Sequence, residues 1–437
     1  MIFNSFEFLF LLLPLAIAAY FALNRWASHY AGRIWLTVAS VFFYAWWDAR
    51  FVALLAASVV FNYVVGRHCK SRAWLIAGIV GNLAALVYFK YAGFFFGVTG
   101  IVLPLGISFF TFTQIAYLAD IYTNDVDPAK YGFGDYALFV TYFPHLLAGP
   151  ILHHGEMLPQ FVNPDRARYN PERFSTGLAL LAAGLAKKVL IADQLAPYIA
   201  QSFANAPALQ FEQAWLAALA YSAQIYFDFS GYTDMARGMS KMLNIELPIN
   251  FNSPYQARSL QDFWQRWHIT LSRFLRDYLF FPLGGVQHPY LATLVTFAIA
   301  GLWHGANWTF IVWGILNGVG VAISRLWPYR MPTGLARAIT FITVTWLWVW
   351  FRAANLHDAW MMTKAMVHPR LSPPWTAMPE RLWLLAAALL IAWLVPNTQK
   401  LFERRTLTPA WGVALGLLLA LSVTFLQNAT EFLSFNF

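Results

Sequence analysis

Charged residues are scarce in this chain: Asp, Glu, Lys and Arg make up only 11% of its 437 residues, where soluble domains carry about 25%. Hydrophobic residues make up 59%, and the mean hydropathy is +0.52. So few charges cannot coat that much apolar surface. The composition excludes an ordinary soluble enzyme, a nucleic-acid-binding module and a disordered scaffold, and it indicates a protein that crosses the membrane several times.

Cysteine is rarer still, with Cys69 as the single example. One cysteine excludes an intrachain disulfide framework and a cysteine-based zinc cluster. Cys69 lies in a basic loop that could lower the pKa of its thiol, but no base is paired with it, so we predict a bystander. The net charge of +9 indicates, on a membrane protein, contact with anionic lipid headgroups rather than with nucleic acid.

A series of apolar runs has the length of full or partial membrane crossings, for which a helix needs about 20 residues. They are Phe6–Leu23, Ile34–Trp47, Phe51–Val65, Trp74–Phe89, Ile101–Ile121, Tyr136–Ile151, Phe174–Ala200, Trp215–Phe229, Tyr290–Trp303, Trp308–Ile323, Ala336–Phe351, Leu382–Val395 and Trp411–Leu426. None alternates every second residue as a β-barrel strand would. We predict an all-α polytopic membrane protein of about 11–13 helices, forming a single domain over residues 1–437.

The basic residues of the first loops predict an orientation. The first loop carries Arg25 and Arg33, the second carries Arg50 beside an aspartate, and the third carries three basic residues. The positive-inside rule places loops one and three in the cytoplasm and the N-terminus outside. The first segment lacks a basic n-region and a small-residue cleavage pattern, so we predict a retained span rather than a signal peptide.

His304 stands between two apolar runs, in Gly301-Leu302-Trp303-His304-Gly305. An ionisable group inside a membrane span is a functional hypothesis by default, and the glycines let another backbone or a substrate come close. A histidine can serve as the base that a hydroxyl needs before it attacks a carbonyl. The alternative is a packing histidine bonded to a neighbouring carbonyl.

Charged residues also interrupt the segment from Ser259 to Pro282, where an apolar stripe predicts one helix. Ser259 and Asp262 form a helix start signal, and Asp262 with Arg266 makes an i,i+4 pair. This helix is too charged to cross the bilayer facing lipid. We expect an interfacial anchor or a helix that lines a polar cavity.

Three other charged motifs leave alternatives open. Lys187 and Lys188 lie inside a hydrophobic run, either as snorkelling residues between two short helices or as a docking site for an anionic donor. Asp228 and Asp234 either line one polar cavity or cap helix ends. His153-His154-x-Glu156 lacks the i,i+4 histidine pair of a zinc-protease helix, so we predict no metal site.

Several segments together resemble a known family. They are Phe227-Asp228-Phe229-Ser230-Gly231-Tyr232-Thr233-Asp234, Pro248–Tyr255, Phe263-Trp264-Gln265-Arg266-Trp267-His268-Ile269-Thr270-Leu271-Ser272, Pro282–Gly285 and Leu302-Trp303-His304-Gly305. Through this ordered series the chain resembles the membrane-bound O-acyltransferase (MBOAT) family, in particular its alginate O-acetyltransferase branch. A Trp-His-Gly alone would be weak, but the order of the segments is specific.

The resemblance implies a ring of tilted helices, with re-entrant or interfacial helices, around a central funnel, and a catalytic segment at about residues 226–310. It implies His304 as the general base or acyl relay and His268 as a second catalytic residue facing the same channel. The remaining implied residues line or support the channel, or dock the donor: Asp262, Arg266, Gln265, Trp303, Asp234, Asn252, Lys187 and Lys188. No bound cofactor is expected.

The resemblance further implies acetyl transfer from a cytoplasmic thioester, acetyl-CoA, to a hydroxyl of an extracytoplasmic polysaccharide such as alginate or another exopolysaccharide. A periplasmic acetyltransferase with a serine-type active site is the implied partner, and the bacterial inner membrane the implied location. One alternative is a D-alanyl transferase that uses a carrier-protein thioester for teichoic acids. Another is a transporter or flippase, although the chain lacks the repeated halves that transporters commonly show.

Overall fold

The computed structural model describes residues 1–147, 149–326, 331–368, 381–402, 408–428 and 433. The regular structure of these residues is helical, and none of them lies in a β-strand. The prediction of an all-α protein is confirmed.

The helices follow one another with short connections. In the first part of the chain they are α1 (Leu13–Trp26), α2 (His29–Ala45), α3 (Arg50–His68), α4 (Arg72–Leu86), α5 (Ala92–Phe96), α6 (Ile107–Tyr122), α7 (Phe133–Thr141), α8 (Phe143–Leu146), α9 (His154–Val162), α10 (Pro171–Ala186) and α11 (Asp193–Ala204). They continue as α12 (Phe211–Met242), α13 (Leu260–Trp264), α14 (Ile269–Leu275), α15 (Pro289–His304), α16 (Trp308–Leu326), α17 (Thr333–Arg352), α18 (Leu356–Val367), α19 (Leu382–Leu394), α20 (Thr398–Phe402) and α21 (Pro409–Thr424). Wider π-helical turns occupy Phe8–Leu12, Val87–Tyr91, Lys187–Ala192 and Arg276–Phe280.

Among the described residues, six helices are long and apolar enough to cross a membrane: Phe8–Trp26, Arg50–His68, Arg72–Phe96, Pro171–Ala204, Trp308–Leu326 and Thr333–Arg352. Shorter apolar helices are Pro289–His304, Leu382–Leu394 and Pro409–Thr424. Large apolar side chains remain exposed on such helices, as at Leu11 (63%) and Leu417 (68%), where lipid rather than water is the matching solvent. The protein is a multi-pass membrane protein; the number of crossings and the ring around a funnel stay predictions.

One compact unit comprises Met1–Leu185, Tyr232–Pro248 and Phe402–Leu426. In this unit α1 packs against α2, and α4 packs against α6. Buried amides join two of its helices: Nδ2 of Asn82 donates to Oδ1 of Asn62 at 2.6 Å, and Nδ2 of Asn62 donates back at 3.1 Å. Interhelical polar bonds of this kind fix the register of helices that lipid cannot order by the hydrophobic effect.

A second compact unit comprises Ala186–Gly231, Ile249–Leu401 and Gln427–Phe437. Here α15 packs along α16, and α16 packs against α17. Trp313 of α16 stacks on Trp348 of α17 with their ring centroids 5.8 Å apart. Both rings also contact aromatic side chains of α13. Residues 249–310 of the predicted catalytic segment lie in this unit. The single-domain prediction stays a prediction.

The predicted span Tyr136–Ile151 is wrong as a single helix. Helix α7 ends at Thr141, and Tyr142 leaves the helical region (φ −50°, ψ 110°) before α8 begins. Pro144 is tolerated in the first turn of α8, but its ring and missing N–H could not continue α7.

The predicted span Phe174–Ala200 is confirmed as part of one continuous helical stretch, Pro171–Ala204. A π-helical turn at Lys187–Ala192 widens it without breaking it. Two short helices are therefore the wrong interpretation of the segment that contains Lys187 and Lys188.

Candidate active site

His268 lies at a break that the sequence did not predict. The stripe from Ser259 to Pro282 predicts one helix, and this is wrong: α13 ends at Trp264, and His268 adopts a left-handed conformation (φ 43°, ψ 55°) immediately before α14. Such a backbone costs about 1–2 kcal/mol in a residue with a Cβ. A hydrogen bond to a neighbouring segment of the same chain helps to stabilise this conformation: the N–H of Ile269 donates to the carbonyl of Asn250 at 3.0 Å.

Asn250 fixes the tautomer of His268. Oδ1 of Asn250 accepts hydrogen bonds from the backbone N–H and the hydroxyl of Thr270 at 3.2 and 3.0 Å. Since a backbone N–H can only donate, the atom it faces must be the amide oxygen. Nδ1 of His268 lies 3.1 Å from the same oxygen and must therefore carry the proton. The lone pair of Nε2 is left to accept a hydrogen bond or a proton.

Burial keeps this imidazole neutral. His268 is 1% exposed, and its ring makes an edge-to-face contact with Phe229 at a centroid distance of 4.7 Å. Loss of hydration disfavours the imidazolium and lowers the pKa of His268 well below its usual range. A neutral ring with a fixed tautomer is suited to orienting another group by hydrogen bonding.

His304 is the last residue of α15, where this helix turns back into α16. The two helices approach closely at glycines: a Cβ on Gly301 would lie 2.2 Å from the carbonyl oxygen of Phe310, and one on Gly314 would lie 2.2 Å from that of Phe297. Of the two glycines near His304, Gly301 thus admits a protein backbone, and Gly305 admits the ring of Phe310. Asn307 then starts α16, with Oδ1 accepting from the N–H of Thr309 at 3.1 Å.

Aromatic rings hold the imidazole of His304 in place. Its ring centroid lies 4.9 Å from Trp303, 5.3 Å from Trp313 and 5.0 Å from Phe351. The ring centroid of Trp303 also lies 6.4 Å from that of His268, so its indole is a neighbour of both histidines. The negative end of the α15 dipole lies at His304, where it favours the positive charge that a base acquires on protonation.

A cavity of about 420 Å³ opens beside His304. Its wall contains apolar and aromatic side chains from α13 to α16, among them Trp264, Leu271, Phe297 and Trp313. Three arginines also line it: Arg273, Arg276 and Arg325. A guanidinium offers a planar fork of donors that matches phosphate oxygens. The cavity therefore combines an apolar wall, a candidate base and cationic groups suited to an anionic ligand.

The structure places the predicted supporting residues in different surroundings. Gln265 lines the cavity. Asp262 and Arg266 form the predicted pair, with Nε to Oδ1 at 2.5 Å, and the side chain of Ser259 caps α13 as its start signal predicts. Asn252 lies away from the cavity wall and accepts a hydrogen bond from Nδ2 of Asn397 at 2.9 Å.

Lys188 is buried in an ion triad. Its Nζ lies 2.7 Å from Oδ1 of Asp193 and 2.7 Å from Oδ1 of Asp228, and all three side chains are at most 2% exposed. The triad couples the π-helical turn to α12. Removing one partner of a buried ion pair typically costs about 3–5 kcal/mol, so the geometry favours a structural role. Lys187 is half-buried, and donor docking by either lysine stays a prediction.

Asp228 and Asp234 do not share one face of α12. They are six positions apart, which at about 100° per residue separates them widely around the helix axis. Asp228 belongs to the lysine triad, and Asp234 is buried at 1% exposure. Both carboxylates lie inside α12 and away from its ends, so capping of this helix is the wrong interpretation, and a shared cavity stays a prediction.

Sequence reasoning missed Asn250 and the cavity arginines as site residues. Asn250 lies in the recognised segment Pro248–Tyr255, but its contact with His268 depends on a turn of the chain that no periodicity announces. Arg325 lies in the last turn of α16, where a basic residue is expected at a membrane boundary. Its donor contact to Thr293 at 3.0 Å turns it toward the cavity instead.

A polytopic helical fold with a half-buried histidine at an amphipathic cavity defines a membrane protein equipped for acid–base chemistry. Residues 123–353 match the model of the membrane-bound O-acyltransferase family, MBOAT. The chain belongs to this family and is an acyltransferase, as its motifs predict.

Relatives of known name cover most of the chain. It is 42% identical over 420 residues to the peptidoglycan O-acetyltransferase of Helicobacter pylori, over 84% of this chain and 80% of that protein. It is 42% identical over 397 residues to the probable alginate O-acetylase AlgI of Azotobacter vinelandii, over 84% and 78%. The teichoic acid D-alanyltransferase of Streptococcus thermophilus is 25% identical over 245 residues, over 52% and 58%.

Proposed function

We propose that this protein passes acetyl groups from cytoplasmic acetyl-CoA across the inner membrane for O-acetylation of an extracytoplasmic polysaccharide. The observation that carries the proposal is the position of His304 on a cavity that also presents Arg273, Arg276 and Arg325. An acyl donor of this kind has a small apolar acetyl group on its thioester sulfur and, at its other end, anionic phosphates. The apolar wall and the arginines complement these two parts.

His304 acts as the general base in this scheme. It accepts the proton of the attacking hydroxyl while the hydroxyl oxygen bonds to the thioester carbonyl carbon. The carbon–sulfur bond then breaks, and the departing thiolate takes the proton back from His304. Such acid–base assistance contributes about 10²–10⁴-fold, and holding donor and acceptor together supplies much of the remainder.

His268 supports the same reaction as a neutral partner. It is 1% exposed and does not line the cavity of His304, so we assign it an indirect role: its ring, held by Asn250, packs near Trp303, which contacts His304. Trp303, which contacts both histidines, keeps them in a fixed relation. This assignment predicts a smaller loss for His268→Ala than for His304→Ala.

The acceptor side of the proposal involves a second protein. Relatives named as peptidoglycan and alginate O-acetyl-transferring enzymes support a polymer hydroxyl as the final acceptor. The chain has no nucleophile elbow G-x-S-x-G of its own, so we assign the last transfer to a periplasmic acetyltransferase with a serine-type site. Lipids of the inner membrane surround the enzyme.

The test is acetyl-CoA consumption by purified protein in nanodiscs, with radiolabelled acetyl-CoA and candidate partner and acceptor. We expect wild type to consume the donor and His304→Ala to fall to background. His288→Ala is the matched control, because His288 is an exposed histidine at the opposite end of α15 and should leave activity unchanged.

Two outcomes would contradict the proposal. If a correctly folded His304→Ala variant consumed acetyl-CoA at the wild-type rate, His304 would not be the catalytic base. Release of D-alanine from a loaded carrier protein, with no use of acetyl-CoA, would assign the chain to the D-alanyl-transferring reaction instead. That alternative is less favoured, because the D-alanyltransferase relative covers only 52% of the chain at 25% identity.

A further inference from the structure

Three side chains with metal-binding atoms converge within the first compact unit, and none of them lines the cavity of His304. Asp120 lies in the last turn of α6, His153 immediately precedes α9, and His154 is the first residue of α9. Oδ2 of Asp120 lies 2.9 Å from Nε2 of His153 and 3.3 Å from Nδ1 of His154. One ligand atom from each residue falls within 4.8 Å of the other two.

We propose that Asp120, His153 and His154 bind a divalent transition-metal ion, with Zn²⁺ as the best match. Imidazole nitrogen and carboxylate oxygen form a common ligand set for zinc, with bonds of about 2.0–2.2 Å. In a tetrahedral site such bonds place neighbouring ligand atoms about 3.3 Å apart. The two distances from Oδ2 of Asp120, 2.9 and 3.3 Å, lie within a few tenths of an ångström of this value, and all the ligand atoms lie within 4.8 Å of one another.

The contacts of His154 favour a cation over a simple ion pair. Nδ1 of His154 is buried and makes no hydrogen bond within the described part of the chain, although a carboxylate oxygen lies 3.3 Å away. With the ring proton on Nε2, the lone pair of Nδ1 lies near a carboxylate oxygen at this distance, and a positive ion bound by both atoms would relieve their repulsion. The carboxylates of Asp125 and Glu156 add negative potential at the same imidazole.

The surroundings hold two ligands firmly and leave one side open. The side chains of Asp120 and His154 are 11% and 6% exposed, while that of His153 is 35% exposed. Tyr117 contacts the ring of His154 at a centroid distance of 5.7 Å, which limits its rotation. A water can occupy the fourth position on the exposed side. The bound metal would clip the end of α6 to the start of α9.

The sequence predicted no metal site here because His153 and His154 are adjacent. Neighbouring histidines lack the spacing that places two ligands on one helix face. The third ligand comes from another helix and becomes visible only in the fold. This inference is independent of acetyl transfer, since none of the three residues lines the cavity of His304.

The test uses the full-length protein in detergent, without a polyhistidine tag, stripped by chelator and titrated with Zn²⁺ alone. Bound zinc is measured by mass spectrometry after desalting, and Co²⁺ absorption bands report the ligand set. We expect one equivalent of zinc per chain and a higher unfolding temperature with zinc. Asp120→Asn should weaken binding by about 100-fold or more, since even residues behind the ligands change affinity by 10–100-fold.

Matched variants separate this site from adventitious binding. His153→Ala/His154→Ala should lose the bound zinc, whereas the exposed pair His68→Ala/His357→Ala should retain it. Asp120→Asn preserves side-chain shape, so a folding failure of the double variant does not decide the result. Full zinc stoichiometry in Asp120→Asn, or no zinc bound by wild type, would overturn the proposal.

Discussion

At the scale of single residues, the pair of Asn250 and His268 shows how a backbone can set the chemistry of a side chain. The N–H of Thr270 identifies the amide oxygen of Asn250, and this oxygen in turn holds the proton on Nδ1 of His268. Position and protonation of the imidazole therefore depend on a residue that never needs to touch a substrate. Asn250 is a positioning residue.

Replacement of Asn250 by alanine tests that role. Asn250→Ala leaves buried donors of His268 and Thr270 without their acceptor, at a cost of about 1–3 kcal/mol each. We expect a lower unfolding temperature and a fall in kcat of at least about tenfold, because His268 is free to adopt the other tautomer. Radiolabelled acetyl transfer and thermal unfolding in detergent measure the two effects.

Thr270→Val provides the control for this prediction. It removes one hydroxyl donor to Asn250 and retains the backbone N–H that orients the amide. Activity should therefore stay near that of wild type. Equal losses of activity in Asn250→Ala and Thr270→Val would show that only packing of this region matters.

Single residues also differ in how well the sequence alone predicts their importance. His304 stands out because an ionisable group between apolar runs is costly, and Ser259 stands out because its capping pattern is local. Asn250 is chemically ordinary, and its importance comes from a contact across 18 positions of the chain. Local sequence patterns predict the importance of His304 and Ser259, whereas that of Asn250 becomes visible only in the fold.

At the scale of helices, the hairpin of α15 and α16 positions His304. Gly301 and Gly314 face each other across it, with a Cβ on Gly301 also 3.2 Å from the Cα of Gly314. The backbones of α15 and α16 cannot separate at this point without moving the C-terminal end of α15. His304 is thus placed by two residues that have no side chain.

Gly301→Ala should disturb this hairpin. The added methyl would meet the carbonyl oxygen of Phe310 at 2.2 Å, and overpacking of this kind costs about 1–3 kcal/mol. We expect a lower unfolding temperature together with reduced acetyl transfer, because His304 moves with the helix end. Gly416→Ala in α21, where no atom lies within 4 Å, should leave both unchanged. Indistinguishable behaviour of the two variants would argue against a tight hairpin.

Helix boundaries mark the limit of periodicity as a guide. The apolar stripe from Ser259 to Pro282 predicts one helix, yet the helix is interrupted between Trp264 and Ile269, in the segment that contains His268. A stripe records which residues are buried, and here two short helices bury the same residues as one long helix would. The interruption is stabilised by hydrogen bonds to residues 250–252, which lie outside the segment that carries the apolar stripe.

At the scale of the whole molecule, the basic residues of the early loops predict how the chain is oriented in the membrane. Arg25 and Arg33 flank the connection of α1 and α2, whereas the connection after α5 carries no charge between Phe96 and Ile107. The positive-inside rule predicts that the first connection is cytoplasmic. Acetyl-CoA is a cytoplasmic donor in our proposal, so this orientation bears directly on the direction of transfer.

Cys69 makes the orientation measurable. Burial raises the pKa of its thiol to about 11, which corrects the expectation of a lowered pKa from its basic loop. Sγ donates to the carbonyl of Leu118 at 3.3 Å, a bond that a serine hydroxyl can replace. Cys69→Ser should therefore give a fully active protein with no thiol, suitable as a background for labelling.

New cysteines in this background report the side of the membrane. Ala27 and Thr99 are exposed residues of the first connection and of the connection after α5. In spheroplasts treated with a membrane-impermeant maleimide, Thr99→Cys should be labelled at once, and Ala27→Cys only after permeabilisation. The reverse pattern would place the N-terminus in the cytoplasm and would require the donor to enter from the opposite face. Because labelling needs no turnover, it tests the orientation of the chain separately from its chemistry.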